Sequence, residues 1–200
     1  MLRIIVAISC VVVARAIPFT DCATDKANEA FTFHLLDITP YEISVPGDIH
    51  FSLNATVNRK IDLLFIDVEV HRVTKFGYEI NIPCIGDTNI GSCNNLDACS
   101  IMEDILNGNS VSSTYLGQQL YQMFTTALGH NVQCPINPEE VVVQNYKMPL
   151  PPLPGFLSIP EIMNGDYRIK IMLKEDPTEP PNIGCIDFIA SLSLPPHYVG

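Results

Sequence analysis

Cysteines are the residues whose type and spacing speak first to chemistry, and the chain has seven of them. Cys10 falls inside an apolar leader, which leaves Cys22, Cys84, Cys93, Cys99, Cys134 and Cys185. An even set in an oxidising compartment reads as three disulfides rather than as thiol nucleophiles, and spacing alone leaves their connectivity open. A structural zinc site needs closely spaced ligands. The chain has no C-x-x-C pair and no cluster of closely spaced cysteines and histidines, so no metal is expected. His34, His50, His71, His130 and His197 are scattered, and there is no G-x-S-x-G elbow, H-E-x-x-H pair or glycine-rich phosphate loop. Asp67 and Glu69 fall on one face of an alternating segment, where carboxylates read as solvated. The sequence therefore assigns no catalytic residue, and the expectation is a protein without an enzymatic activity of its own.

The leader itself has the three parts of a secretory signal peptide. Arg3 supplies the charge, Ile4 to Val13 the apolar run, and Ala14-Arg15-Ala16 the small residues before cleavage. The run is too short to cross ~30 Å of hydrocarbon at ~1.5 Å per residue, and no later run reaches the roughly 18 apolar residues of a membrane span. Residues 1–16 are read as signal peptide and 17–200 as a single domain, secreted or lysosomal. The formal charge is −11, and loss of Arg3 and Arg15 deepens it to about −13. Such a chain repels nucleic acid, whose binding depends on Lys and Arg neutralising phosphates. Anionic membranes repel it less as carboxylates protonate and histidines charge, which suits an acidic compartment.

The elements that must carry these cysteines are mostly strands. Phe31 to Ile38, Ile49 to Val57, Leu63 to Val73 and Tyr78 to Ile82 are rich in β-branched and aromatic residues. Phe51, Leu53, Ala55 and Val57 alternate with His50, Ser52, Asn54 and Thr56, the period of a half-buried strand. Pro46-Gly47, Phe76-Gly77 and Ile85 to Gly91 are the breaks. Val141 to Tyr146, Tyr167 to Leu173 and Cys185 to Leu194 complete a set that predicts an antiparallel sandwich or open barrel. Two helices interrupt it. One spans Leu96 to Leu106, with Asn95 as cap and Gly108 beyond its end. In the other, Leu116, Leu120, Met123, Phe124, Ala127 and Leu128 form one apolar face between a cap at Ser112, Ser113 or Thr114 and a stop at Gly129. That face either packs on the sheet or serves as a lid over an apolar opening, with Leu120 and Phe124 as the residues that would face a bound ligand.

Several segments taken in order carry a resemblance: Ile43-Ser44-Val45-Pro46-Gly47, Ile82-Pro83-Cys84, Ile90-Gly91-Ser92-Cys93, Cys99, Gly165-Asp166-Tyr167-Arg168-Ile169, Gly184-Cys185-Ile186 and Ile189-Ala190-Ser191-Leu192. With them the chain resembles the ganglioside GM2 activator family, which is similar in idea to the wider ML lipid-recognition domains. The resemblance covers most of the chain after the leader. It implies a mainly β fold, an antiparallel β-cup or open sandwich around an apolar cavity with one or two short helices. It also implies the pairs Cys22–Cys185, Cys84–Cys93 and Cys99–Cys134. Three features depart from the family. The two cysteines of a fourth disulfide are missing between Cys99 and Cys134, Pro160-Glu161-Ile162-Met163 stands where a tryptophan loop is found, and Asp48 replaces the glycosylation acceptor. The one N-x-S/T sequon is Asn54-Ala55-Thr56, which makes Asn54 the glycosylation candidate.

A lipid leaves a membrane only for another dry place, at about 0.8 kcal/mol per buried methylene, so a lined cup sets affinity and polar rim groups choose the headgroup. The expected mouth residues are Leu150, Leu153, Phe156 and Leu157 in the proline-rich loop, followed by Ile162 and Met163. The expected ligand is a glycosphingolipid or phospholipid, with no other cofactor. The expected partners are a transient membrane surface and, as the resemblance implies, a lysosomal glycosidase such as β-hexosaminidase A. The alternative is a secreted interaction or signalling protein that uses the same cup without transferring lipid.

Overall fold

The computed structural model describes residues 18–85, 89–109, 115–152, 163–178 and 182–195. In chain order the elements are β1 (Phe19–Asp21), β2 (Phe31–Thr39), β3 (Glu42–Ser44), β4 (Gly47–Val57), β5 (Phe65–Val73), β6 (Glu79–Asn81) and β7 (Cys93–Asp97). After them come α1 (Ala98–Leu106), α2 (Tyr115–Leu128), β8 (Glu139–Leu150), β9 (Gly165–Lys174) and β10 (Gly184–Ser193). They form two sheets. A seven-stranded sheet runs β1-β10-β9-β5-β6, with β3 on β10 and β7 on β5, and a three-stranded sheet runs β2-β4-β8. Every pairing is antiparallel except β3 with β10. The expected mainly β, antiparallel cup with two helices and three disulfides is the fold observed.

Alternation explains how the small sheet faces the large one. Ile49, Leu53, Ala55 and Val57 of β4 are buried, Phe51 shares their face, and His50, Ser52, Asn54 and Thr56 face outward. Both edge strands break the period once. In β2 the pairs Phe33–Ala55 and Leu35–Asn54 leave His34 as the extra residue of a bulge. In β8 the register slips between the pairs Phe51–Tyr146 and Leu53–Val143, where Asn145 adopts φ 49°. A bulge moves the following side chains to the other face. Thus Leu36 and Ile38 of β2, and Met148 of β8, are buried, and Leu35 is turned out to 42% exposure.

The disulfides join Cys22 to Cys185, Cys84 to Cys93, and Cys99 to Cys134. The first closes a separation of 163 residues and holds the start of the domain against β10, the kind of long closure that restricts the unfolded chain most. Gly184 beside it admits β2 closely, because an added Cβ would stand 2.7 Å from Phe31 Cβ.

Both helices differ in detail from expectation. Asp97, not Asn95, caps α1, its carboxylate accepting from Ser100 N–H at 2.9 Å. Asn95 sits in β7 at φ 55°, where its N–H donates to Asp67 Oδ1 at 2.7 Å. That bond corrects the reading of Asp67 as solvated. Asp67 is 5% exposed and ion-paired to Lys174. In α2, which packs along β8, Met123 and Gln119 are buried and Leu116 and Ala127 are exposed. Gln119 turns inward because its Nε2 donates to Pro149 O at 2.8 Å, a bond that satisfies an amide inside an otherwise apolar contact. The expected caps at residues 112–114 lie outside the described residues, as does the leader 1–16.

Candidate functional site

The inner faces of the two sheets share one apolar core. At one end of it Ile61, Leu64, Ala98 and Met123 are buried. Farther along, Phe33, Phe51 and Tyr146 of the small sheet face Ile66, Ile169 and Ile171 of the large one. All six point inward by register, yet each remains only half-buried. They pack against the buried core and form its partly accessible apolar margin, the part of the interior nearest to solvent.

The open end is defined by the register of the strands. The start of β9, the end of β10 and the end of β5 meet there, since Gly165 pairs with Leu192 and Asp166 with Val73. On the small sheet the end of β8 meets the start of β4, Leu150 opposite Gly47. Of the expected mouth residues, Leu150 lies at this end, partly buried against the core. Met163 is 2% exposed and belongs to the core itself, so the expectation of a rim methionine is corrected. Leu153, Phe156, Leu157 and Ile162 lie outside the described residues. Leu120 and Phe124 pack from α2 onto the same core, half-buried. The structure thus brings Leu120, Phe124, Leu150 and Met163 to one core. Asn54 is elsewhere, on the outer face at the middle of the central strand β4.

Sequence reasoning treated Phe76-Gly77 as a turn only. The β5–β6 turn projects from the open end with Phe76 88% and Tyr78 73% exposed. The tip is closed by its own hydrogen bonds: Thr74 N–H donates to Tyr78 O at 2.8 Å, Gly77 N–H to Thr74 O at 2.9 Å, and Tyr78 N–H to Thr74 Oγ1 at 3.0 Å. Gly77 takes φ 80°, which a β-carbon would disfavour. The signal was present in the sequence, since two aromatics around a glycine in a turn have no core to enter.

Polar groups are sorted by face. On the outer face of the large sheet Arg168 binds Asp187 at 2.6 Å and Glu79 at 3.0 Å, and these two carboxylates raise its pKa well above the ordinary arginine value. The inner face of the same sheet carries Ile80, Arg72, Tyr167 and Ala190 as one row at the open end. Burial pushes the Tyr167 phenol up, and the positive charge of Arg72 partly offsets this. Among the described residues no group of three histidines, cysteines or carboxylates could hold a metal, and no helix is long and apolar enough to cross a membrane.

A family model described as the ML domain matches residues 16–192. The chain belongs to the ML domain family. ML domains are lipid-recognition domains, and membership supports lipid binding in general for this chain. No curated relative matches the chain. Among solved structures it is similar to a Niemann-Pick type C2 protein from Japanese carpenter ant, at 12% identity and a TM-score of 0.42. That similarity covers 88% of this ML domain chain and 99% of the other.

Proposed function

We propose that this ML domain is a secreted or lysosomal lipid carrier, which docks transiently on a membrane, withdraws one lipid into the space between its sheets and delivers it elsewhere. The observation that supports the reading is the coincidence, at one end of the cup, of the open apolar interior with the exposed aromatic tip at Phe76 and Tyr78. Aromatic rings of this kind favour the membrane–water interface. A tip that enters the headgroup layer brings the opening to the lipid, and acyl chains then pass from one dry environment to another.

Delivery to a glycosidase, as the ganglioside activators perform for β-hexosaminidase A, is the finer form of this proposal. It rests on the ordered motifs shared with those proteins, from Ile43 to Leu192. The test is native mass spectrometry of the mature protein with lipid extraction, followed by transfer of labelled lipid between vesicles at acidic and neutral pH. Bound lipid and protein-dependent transfer are expected. An empty, disulfide-bonded protein that moves no lipid would overturn the carrier reading in favour of an interaction protein built on the same cup.

A further inference from the structure

The distribution of positive charge is uneven in a way that the fold does not require. The chain carries a formal charge of −11, so any cation has many carboxylates to choose from. Among the described residues every lysine and arginine but two lies within 3.6 Å of a carboxylate oxygen. The two exceptions are Arg72 and Lys75. Both stand at the open end of the cup, Arg72 near the end of β5 and Lys75 within the turn that carries the aromatic tip.

Arg72 is the more telling of the two. Its registered neighbours are Tyr167 on β9 and Ile80 on β6. Alternation from Ile66 places it on the inner face, in the row that ends the apolar lining. Its guanidinium is held from behind: Nη2 donates to Asn164 O at 3.0 Å, and Nε lies 3.3 Å from where a Cβ on Gly165 would stand. The acidic residues nearest in register, Glu79 and Asp166, both pair with Val73 and so face outward. Glu79 is engaged by Arg168, and Asp166 accepts from Ser191 Oγ at 2.5 Å. One backbone carbonyl occupies one donor of a group that has five, arranged as a fork that fits phosphate oxygens.

We infer that Arg72 is the headgroup-selecting residue of the cup and that the lipid it selects carries a phosphate, not an uncharged headgroup. The inference rests on the carrier reading above and names its substrate class. Tails between the sheets place a headgroup at the rim, where Arg72 supplies the positive charge of the inner face. Lys75, exposed beside Phe76, is free to meet the anionic surface from which such a lipid is drawn.

The experiment compares transfer of labelled phosphatidylglycerol and acyl-matched diacylglycerol, each at low mole fraction in phosphatidylcholine vesicles. Wild type is expected to favour phosphatidylglycerol by about tenfold, the scale of one charge-assisted pair. Arg72→Met should abolish that preference, read as the ratio of the two transfer rates, with Arg72→Lys intermediate because it keeps the charge and loses the fork. Equal transfer of both lipids by wild type, or a preference that survives in Arg72→Met, would overturn the assignment. A wild type that moves neither lipid defeats the carrier reading separately. Arg72 is then read by titrating the mature protein with glycerophosphoglycerol and following the amides of Gly165 and Tyr167. Shifts lost in Arg72→Met uphold the phosphate site, and no shifts overturn it.

Discussion

The backbone N–H of Asn145 donates to Ser52 Oγ at 2.9 Å across the β4–β8 ladder, at the point where β8 changes register. The bond satisfies an amide that the slip removes from the ladder, and Asn145 accepts the left-handed conformation more readily than most residues. Ser52→Ala is expected to destabilise the protein by about 1 kcal/mol. Asn145→Val, a branched side chain at φ 49°, should cost more than Asn145→Gly, which should be nearly neutral. Urea unfolding of the three variants checks the order.

Replacing Phe76 and Tyr78 together by serine removes apolar area that the fold does not use. Stability should stay within about 0.5 kcal/mol of the parent. Transfer of lipid out of vesicles should slow by about tenfold, in proportion to the apolar area no longer offered to the interface. Unchanged transfer rates would remove the tip from the docking step.

Asp67 and Lys174 form a pair in which both side chains are largely withdrawn from water. Asp67→Ala leaves Lys174 without its counter-charge and Asn95 N–H without its acceptor. A loss of about 3 kcal/mol is expected, most of it recovered in Asp67→Ala combined with Lys174→Met. Thermal melts of the single and double variants distinguish a buried pair from a surface one.

His130 follows α2 and offers both ring nitrogens to acceptors, Nδ1 to Asn131 O at 3.1 Å and Nε2 to Glu139 Oε2 at 2.9 Å. Only the imidazolium donates from both, so the Asn131 carbonyl first and the Glu139 carboxylate next raise its pKa above the ordinary histidine value. A raised value means that its stabilisation is complete below the ordinary imidazole range near pH 6.5 and is lost as pH climbs through the raised value. His130→Gln should therefore lower the melting temperature relative to wild type at about pH 5.5 and make no difference at about pH 8.5. A difference that is the same at both pH values would show that the ring acts by shape alone.

Much of the fold was legible because strands with one dry face announce themselves by alternation. The segments around Phe51 to Val57 and Phe65 to Val73 are strands in the structure, and the helix ending at Gly129 is present. The short strands β1, β3 and β7 were not legible, since three to five residues are too few to display a period. The candidate site was legible as an apolar interior and not as a rim. Met163 reads as one more apolar residue of a proline-rich stretch, and only its place beneath the start of β9 shows it to be core.

By itself the sequence determined that six cysteines would close on one another in a mainly β, acidic domain with an apolar interior. Those properties follow from composition and local period, which each segment carries wherever it lies. Tertiary structure decided what depends on register between distant segments. Leu36 turns in and Leu35 out because β2 bulges against β4. Asp67 is buried because β7 folds back across β5 and brings Asn95 to it. Arg72 faces the interior with no carboxylate partner among the described residues because the pairing of β5 with β6 and β9 sends Glu79 and Asp166 to the other side. No residue encodes such a relationship alone, because a one-residue change of register would exchange the two faces of the sheet.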